Sequence, residues 1–492
     1  MDDCRIPVIV GVGELADRPG DLSSALEPAA LMAAAARRAE TDAGAPLLVS
    51  LDGLEIVNEI SWPYADIAGL LTRRLGIHGR VAATYHPVGG QTPLLALHRA
   101  ALAIRDGTWR SALVCGAEAQ ASVTAAQRSG VPLDWSPRIE GFRPVRGGDY
   151  QQSVARALDL ATPAHVYPFY ENATRAAWGM TFDEAQAESA AIWARNAAIA
   201  ATRDAAWRPQ PVGAADIARI TPDNRPIAWP YPKLMTANPG VNQGAAVIVT
   251  SVAQARAAGI ADSRMIHFLG GAAADAPRDY LMRASYDRSL AMEWTLEQAS
   301  AIVEDRRFDA VELYSCFPCV PKMARRVLGL ADTDALSVAG GLTFFGAPLN
   351  NYMTHACVAM VDRLRASGGT GLLYGQGEYV TKHHALVLGT HPPDTPLPDI
   401  HRYDEMAGPH AVTEDYTGPA RLESYTVLYA RDGSVRHGGA IAITPSRERL
   451  LARVPSADAA TIARLLDTAH EPIGTPGRVT KAADGMMEWR GP

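Results

Sequence analysis

Cys316 and Cys319 enclose Phe317 and Pro318 in a C-x-x-C spacing that can bind zinc or cycle a disulfide. No second cysteine pair and no nearby histidine completes a zinc set, so the expectation is no metal centre. With Cys4, Cys115 and Cys357 the chain holds five thiols, too few and too scattered for a disulfide framework, which predicts reduced cysteines. A free thiol offers nucleophilic chemistry, and it needs an imidazole within reach to take its proton. The available imidazoles include His86, His98, His355 behind Pro348-Leu349-Asn350-Asn351-Tyr352, and the neighbours His383 and His384. On a strand, neighbours face opposite ways, so at most one of His383 and His384 can share a pocket with a thiol. Between His86 and His98 the segment Pro87-Val88-Gly89-Gly90-Gln91-Thr92-Pro93 reads as a tight entry into a helix.

The elements that must position these groups follow from periodicity. Val8 to Gly13 reads as a strand, Ala29 to Glu40 as an alanine-rich helix, and Gly53 to Val57 as a second strand. Pro93 to Ile104 forms a helix with Leu94, Leu97, Ala101 and Ile104 on one stripe, and Ser111 to Cys115 is a buried strand. Strands alternating with helices predict an α/β class with a parallel sheet. A helix, a turn and a strand ending in Cys115-Gly116-Ala117-Glu118 recur as helix, turn and strand ending in Tyr374-Gly375-Gln376-Gly377-Glu378, which predicts two duplicated α/β halves.

From Gln120 to Arg225 prolines, tryptophans and a helix over Asp183 to Ala201 replace the alternation, the texture of a long inserted loop region. Beyond the proline-rich linker Pro392 to Pro398, alternation over Arg421 to Tyr429, a hairpin signal at Asp432-Gly433 and a return strand at Ala440 to Ile443 predict a small β-barrel. The expected domains are 1–262, including the loop region 120–225, then 263–392, and the barrel 405–492. Across 492 residues the net charge of −7 is spread without long like-charge blocks, which argues against a general nucleic-acid or membrane-surface binder. No stretch approaches the ~18 apolar residues of a membrane helix, and no export signal opens the chain, so a cytoplasmic protein is expected.

Pro7-Val8-Ile9-Val10-Gly11-Val12-Gly13, Asn242-Gln243-Gly244-Ala245-Ala246, and Gly340-Gly341-Leu342 before Gly346-Ala347-Pro348 resemble the thiolase superfamily, nearest its sterol-carrier-type branch. The likeness spans roughly residues 5 to 390, and the terminal segment resembles the oligonucleotide/oligosaccharide-type barrel found with some thiolase-like proteins. The resemblance implies a layered αβαβα fold, a coenzyme A thioester as substrate or ligand, an acyltransferase activity in lipid metabolism, and a homodimer. It also implies four catalytic positions: a nucleophilic cysteine at a helix N-terminus, a Gly-His-Pro histidine, an oxyanion-hole Asn or His, and a second cysteine. Here those positions hold Gly90 or its neighbour Gly89, Ala347, Tyr314, and Tyr374 or Gly375. All four have changed together, so thiolysis or Claisen condensation through a cysteinyl thioester is not expected.

Three residues are candidates for replacement chemistry: Cys316, on the loop that the resemblance places beside the old pocket, His355 and His383. Tyr167, Tyr170, Lys233 and Met235 are expected by resemblance to border a coenzyme A channel. Gly90 has two readings: only a small residue fits its tight helix entry, or its vacated volume admits substrate. The functional expectation is a binder of coenzyme A thioesters with atypical acyl transfer or acyl handling and no cofactor. The alternative is a non-catalytic scaffold or regulatory subunit whose C-terminal barrel docks a protein partner.

Overall fold

Gly11 and Gly13 set how the first strand meets the first long helix. A Cβ on Gly11 would lie against the carbonyl of Ala39, and one on Gly13 would lie 2.5 Å from the nitrogen of Ala39. The alanine-rich helix Pro28–Ala43 supplies the matching flat face, so strand and helix pack at backbone distance. This arrangement is seen in a computed structural model that describes residues 2–491.

In chain order the strands are β1 (Pro7–Ala16), β2 (Gly53–Ile56), β3 (Ala82–Tyr85), β4 (Ser111–Ala119), β5 (Pro226–Ala228), β6 (Tyr231–Pro232), β7 (Asn242–Ser251) and β8 (Ile266–Asp275). There follow β9 (Ala310–Leu313), β10 (Thr370–Gly377), β11 (Lys382–Gly389), β12 (His401–Asp404), β13 (Gly418–Tyr429), β14 (Val435–Ile443), β15 (Arg449–Pro455), β16 (Pro476–Lys481) and β17 (Met487–Arg490). The larger sheet runs β3-β2-β4-β7-β1-β8-β11-β10-β9, with β12 added beside β8.

The duplication is visible in the pairing. β1 and β7, then β7 and β4, are antiparallel and β4 and β2 parallel; β8 and β11, then β11 and β10, are antiparallel and β10 and β9 parallel. The two halves meet where Val8 and Ile9 of β1 pair with His267 and Ile266 of β8. Helices Thr92–Arg105 and Tyr352–Ser367 each touch strands of both halves. Most of the latter is buried, which explains its uniform apolar surface of Met353, Ala356, Val358, Met360 and Val361. The chain adopts the expected α/β fold of two related halves, but the predicted parallel sheet is corrected to a mixed one, antiparallel through its centre from β4 to β10 and parallel only toward its edges and at β12.

The terminal segment closes a five-stranded barrel, β13-β14-β15-β17-β16 and back to β13, around Tyr425, Val427, Leu450, Val454 and Trp489. Three of its features differ from the sequence expectation. The segment directly after the loop region contributes strands: β5 and β6 extend the barrel by pairing Ala228 with Leu428 of β13. The prolines at 226, 230 and 232 hide that hairpin, since proline is compatible with a sheet edge but reads as loop. A short helix, Ala459–Leu465, sits inside the barrel segment, and β12 pairs with β8 directly after the proline-rich stretch.

Helix Pro163–Ala177 of the loop region fixes the barrel to the body. Ser424 Oγ donates to Phe169 O at 2.6 Å, Asn172 Nδ2 donates to Tyr425 O at 2.8 Å, and the fully buried Arg449 donates to Leu281 O at 2.8 Å while pairing with Glu423 at 2.6 Å. One face of the barrel is therefore committed within the chain. Among the described residues no helix is long and apolar enough to cross a membrane.

Candidate functional site

Gly90 lies at the entry to helix Thr92–Arg105, whose first turn is fixed by Pro93 and by Thr92 N donating to Gly89 O at 3.1 Å. Gly90 is not among the positive-φ glycines, so its backbone would accept a side chain; space would not. A Cβ there would stand 2.5 Å from Gln376 O, 2.6 Å from Tyr314 Cζ, and nearer still to Tyr314 Oη. This decides between the two readings of Gly90. The volume is not vacant for substrate, because the Tyr314 phenol fills it.

Tyr314 extends β9 and is held by its own N–H donating to Tyr374 O at 3.0 Å. Its ring is buried and meets Tyr352 edge-on at 6.0 Å. At this position Tyr314 packs against Tyr352 and Gly90. Gly375 carries the same message: a Cβ there would lie 3.1 Å from both Gln91 Cα and Met353 Cγ. Ala347 is buried, and its N–H donates to Asn238 O at 2.9 Å. The loop after it reaches the helix entry through Asn350, whose Oδ1 accepts from Gly89 N at 3.0 Å and whose Nδ2 donates to Asn58 O at 3.0 Å.

Cys316 does face this cluster. Gln376 Nε2 donates to its sulfur at 3.2 Å and to Tyr167 Oη at 2.6 Å, while Gln376 Oε1 accepts from Val380 N at 3.0 Å. Burial pushes the Cys316 thiol up to about 12, so it stays protonated near neutrality. No histidine is hydrogen-bonded to it. His383 instead donates from Nε2 to Val380 O at 3.2 Å, which leaves Nδ1 to accept from Tyr374 Oη at 2.7 Å. Burial and the nearby Arg283 lower His383 to about 3, so it is neutral. His355 pairs with Glu14 at 2.8 Å, and Glu14 in turn holds Arg203. Cys316, His355 and His383 thus belong to three separate hydrogen-bond sets and form no nucleophile–base pair.

The aromatic candidates are corrected likewise. Tyr167 stacks on Phe317 with ring centres 4.5 Å apart and donates to Glu378 O at 2.6 Å; Tyr170 donates to Tyr379 O at 2.7 Å. Both tyrosines and Met235 are buried in the main core. Beside them lies a buried ion pair, Lys322 with Glu171, which also accepts from Tyr231 Oη at 2.6 Å. Lys233 is different. It is exposed and lines a cavity of about 430 Å³ with Arg208, Arg219, Asp216, Asp223 and Leu234. Asn224 shapes this cavity by accepting from Leu234 N at 2.8 Å and donating to Ile217 O at 2.9 Å. Arg219 pairs with Asp216 at 2.6 Å, while Arg208 and Lys233 have no ion-pair partner among the described residues.

Among the described residues neither His355 nor His383 stands as a base for Cys316, and the buried His86 is paired with Glu55; Arg208 and Lys233 supply cations around a cavity. Arg208, Asn224, Asn350 and Gln376 were not singled out by sequence. Only the nearness of Asn350 to the 346–348 turn and of Gln376 to Gly375 could have marked two of them. Among the described residues no group of three or more His, Cys, Asp or Glu could hold a metal ion.

Residues 402–485 match the model of a family described as the thiolase-like protein type 1 additional C-terminal domain. No protein of curated function matches the sequence. A monomeric sterol-carrier-type thiolase-like protein type 1 from Mycobacterium smegmatis is similar over 99% of this chain and 100% of its own, at 24% identity and a TM-score of 0.80. The acetyl-CoA acetyltransferase of Syntrophomonas wolfei and the human mitochondrial 3-ketoacyl-CoA thiolase each cover 79% of this chain and 100% of their own at 16% identity, with TM-scores of 0.56 and 0.55. The chain therefore has the thiolase-like fold and carries, over residues 402–485, the additional C-terminal domain of the type 1 thiolase-like proteins.

Proposed function

We propose that this protein binds a coenzyme A thioester without capturing its acyl group covalently. The observation that carries this reading is the Tyr314 ring in the space where a nucleophile's Cβ would stand at Gly90. A thiolate at that helix entry has no room, and Cys316, the nearest thiol, is protonated and lacks a base. What supports ligand binding is the cavity around Lys233, whose unpaired Arg208 and Lys233 suit the phosphates of a nucleotide-bearing ligand. Two structural neighbours, an acetyl-CoA acetyltransferase and a 3-ketoacyl-CoA thiolase, are enzymes of coenzyme A thioesters, which favours coenzyme A over other nucleotides.

Isothermal titration of the full chain with coenzyme A and an acyl-coenzyme A tests this. Saturable binding that weakens about tenfold or more in Lys233→Ala and in Arg208→Ala is expected, the usual effect of removing one charged hydrogen bond. No affinity at millimolar ligand would defeat it. Atypical acyl transfer belongs to the reading only if an acyl group leaves the thioester without an enzyme adduct, which mass spectrometry after incubation with acyl-coenzyme A distinguishes. A homodimer through the edge strand β3, whose Ala82, Ala83 and Tyr85 are exposed, belongs to the same reading. Light scattering that returns the mass of one chain removes it.

A second reading, a scaffold docking a partner through the barrel, has less to work with. The face carrying Ser424, Tyr425 and Arg449 is already bonded to the chain's own Phe169, Asn172 and Leu281. A partner would have to use the outward faces of β14, β15 and β17. Pull-down with the full chain against a variant with outward residues reversed in charge tests it.

A further inference from the structure

A second cavity, of about 510 Å³, has a lining that includes none of the residues around the Lys233 cavity. Its floor is Ile60 and Ser61, whose N–H groups donate to the buried Glu118 carboxylate at 2.7 and 2.8 Å, and one wall is helix Gln120–Ser129 with Val123 and Gln127. The other wall is the segment 138–146. That segment is fixed: Ile139 N donates to Pro63 O at 2.9 Å, Trp62 Nε1 donates to Ser136 O at 2.8 Å, and the Arg138 guanidinium lies over the Trp62 ring at 4.7 Å. Trp135, edge-on to Trp62 at 4.9 Å, donates to Ala25 O at 2.9 Å and ties the base of the segment to the body.

Two independent features point to a ligand. The first is charge. Arg138 and Arg146 both line the cavity and neither has an ion-pair partner among the described residues, whereas Arg143, which does not line it, pairs with Asp149 at 2.6 Å. Glu140 is the one carboxylate in the lining, so the cavity carries one net positive charge. The second is apolar exposure. Ile139 and Phe142, on the same wall, are 39% and 48% exposed, and Val131 and Val145 nearby are 48% and 53% exposed. Such a cluster of uncovered large apolar side chains in one short segment marks a binding surface.

We infer that this cavity binds a small amphiphilic monocarboxylate. The carboxylate would be gripped by Arg138 and Arg146, and a short hydrocarbon or aryl body would cover Ile139, Phe142 and Val123. Guanidinium pairs favour carboxylate geometrically, and the single net charge favours a monoanion over a phosphate dianion. The volume falls in the range of small-molecule sites, about 300–1,000 Å³. The site shares no residue with the Lys233 cavity, so it stands or falls separately from the coenzyme A reading.

The test is isothermal titration of the full chain with sodium octanoate and with 3-phenylpropionate, which separate a hydrocarbon from an aryl tail, and with octanamide and inorganic phosphate as partial ligands. One saturable site for at least one carboxylate is expected, with octanamide and phosphate each weaker by about tenfold or more. Arg138→Gln and Arg146→Gln, both at exposed positions, should each weaken the carboxylate about tenfold and leave coenzyme A affinity unchanged, and Arg146→Gln, which loses no contact with the Trp62 ring, should leave the melting temperature unchanged as well. Lys233→Ala should leave it unchanged. The inference is overturned if no carboxylate saturates, if octanamide binds as well as octanoate, or if neither arginine variant alters the affinity.

Discussion

Replacing Gly90 by alanine tests whether the old nucleophile position is filled. The added Cβ would stand 2.5 Å from Gln376 O and 2.6 Å from Tyr314 Cζ. One of these neighbours is backbone in β10 and the other a buried aromatic ring, so neither retreats as a flexible chain end would. Overpacking of this kind costs typically about 1–3 kcal/mol, and two rigid neighbours place Gly90→Ala at the upper end, about 3 kcal/mol. Backbone strain contributes nothing, since Gly90 is outside the left-handed region. Gly213, whose added Cβ would meet nothing closer than 3.8 Å, is the control that should be near neutral. Calorimetric melting of the full chain reads the difference. Tyr314→Ala alone should cost about 3–5 kcal/mol as an aromatic truncation. In the double variant the new methyl enters part of the space the ring leaves, so the two losses should fall short of additivity by about 1–2 kcal/mol. Unchanged melting of Gly90→Ala, or strict additivity, would mean that Tyr314 does not occupy the position. The pocket would then be open, and the argument against covalent capture would fail with it.

Further outcomes follow from other buried groups. Burial pushes the Glu59 carboxyl up to about 7, so the folded chain holds this proton after the unfolded chain has lost it, and its contribution to stability falls as pH rises from the ordinary carboxyl range to about 7. Because Glu59 Oε2 has no hydrogen-bond partner, Glu59→Gln should match the wild type near pH 4 and exceed it by up to about 3 kcal/mol above pH 8; parallel melting curves across that range would contradict this. Lys322→Met should cost about 3–5 kcal/mol by leaving Glu171 charged and buried, and adding Glu171→Leu should recover most of the loss, read as melting temperatures of the single and double variants. Iodoacetamide applied to the folded protein should modify Cys4, the exposed thiol, and spare Cys115, Cys316, Cys319 and Cys357; peptide mapping that finds Cys316 labelled at the rate of Cys4 would show an accessible pocket.

Much of the fold was legible because its signals are local. Gly11 and Gly13 against an alanine-rich helix, and the repeated helix-turn-strand ending at Glu118 and at Glu378, need no tertiary knowledge to read. That glycine stands at 90 and alanine at 347 was legible for the same reason, since residue type needs no fold to read. What the residues do instead was not. Tyr167 has the same chemistry whether it lines a channel or stacks on Phe317, and only the folded chain shows the stacking. Lys233 and Arg208 meet only when the loop region closes on itself. β5 and β6 were hidden because prolines at a sheet edge look like loop.

The four altered positions also take on a different meaning together. Read singly, each substitution removes a functional group, and removing groups from a core leaves a cavity that costs stability in proportion to its volume. No such void is needed here, because the changes compensate. The smallest residue stands at 90 and a large ring at 314, and that ring enters the space above Gly90; glycine at 375 lets Gln91 and Met353 close in. Restoring a cysteine at 90 would therefore not restore a nucleophile. It would collide with Tyr314 and Gln376, and removing Tyr314 to relieve the first collision would still leave the Gln376 carbonyl. Packing leaves no room for a larger side chain at Gly90, which is why ligand binding is sought at surface cavities and not at that helix entry.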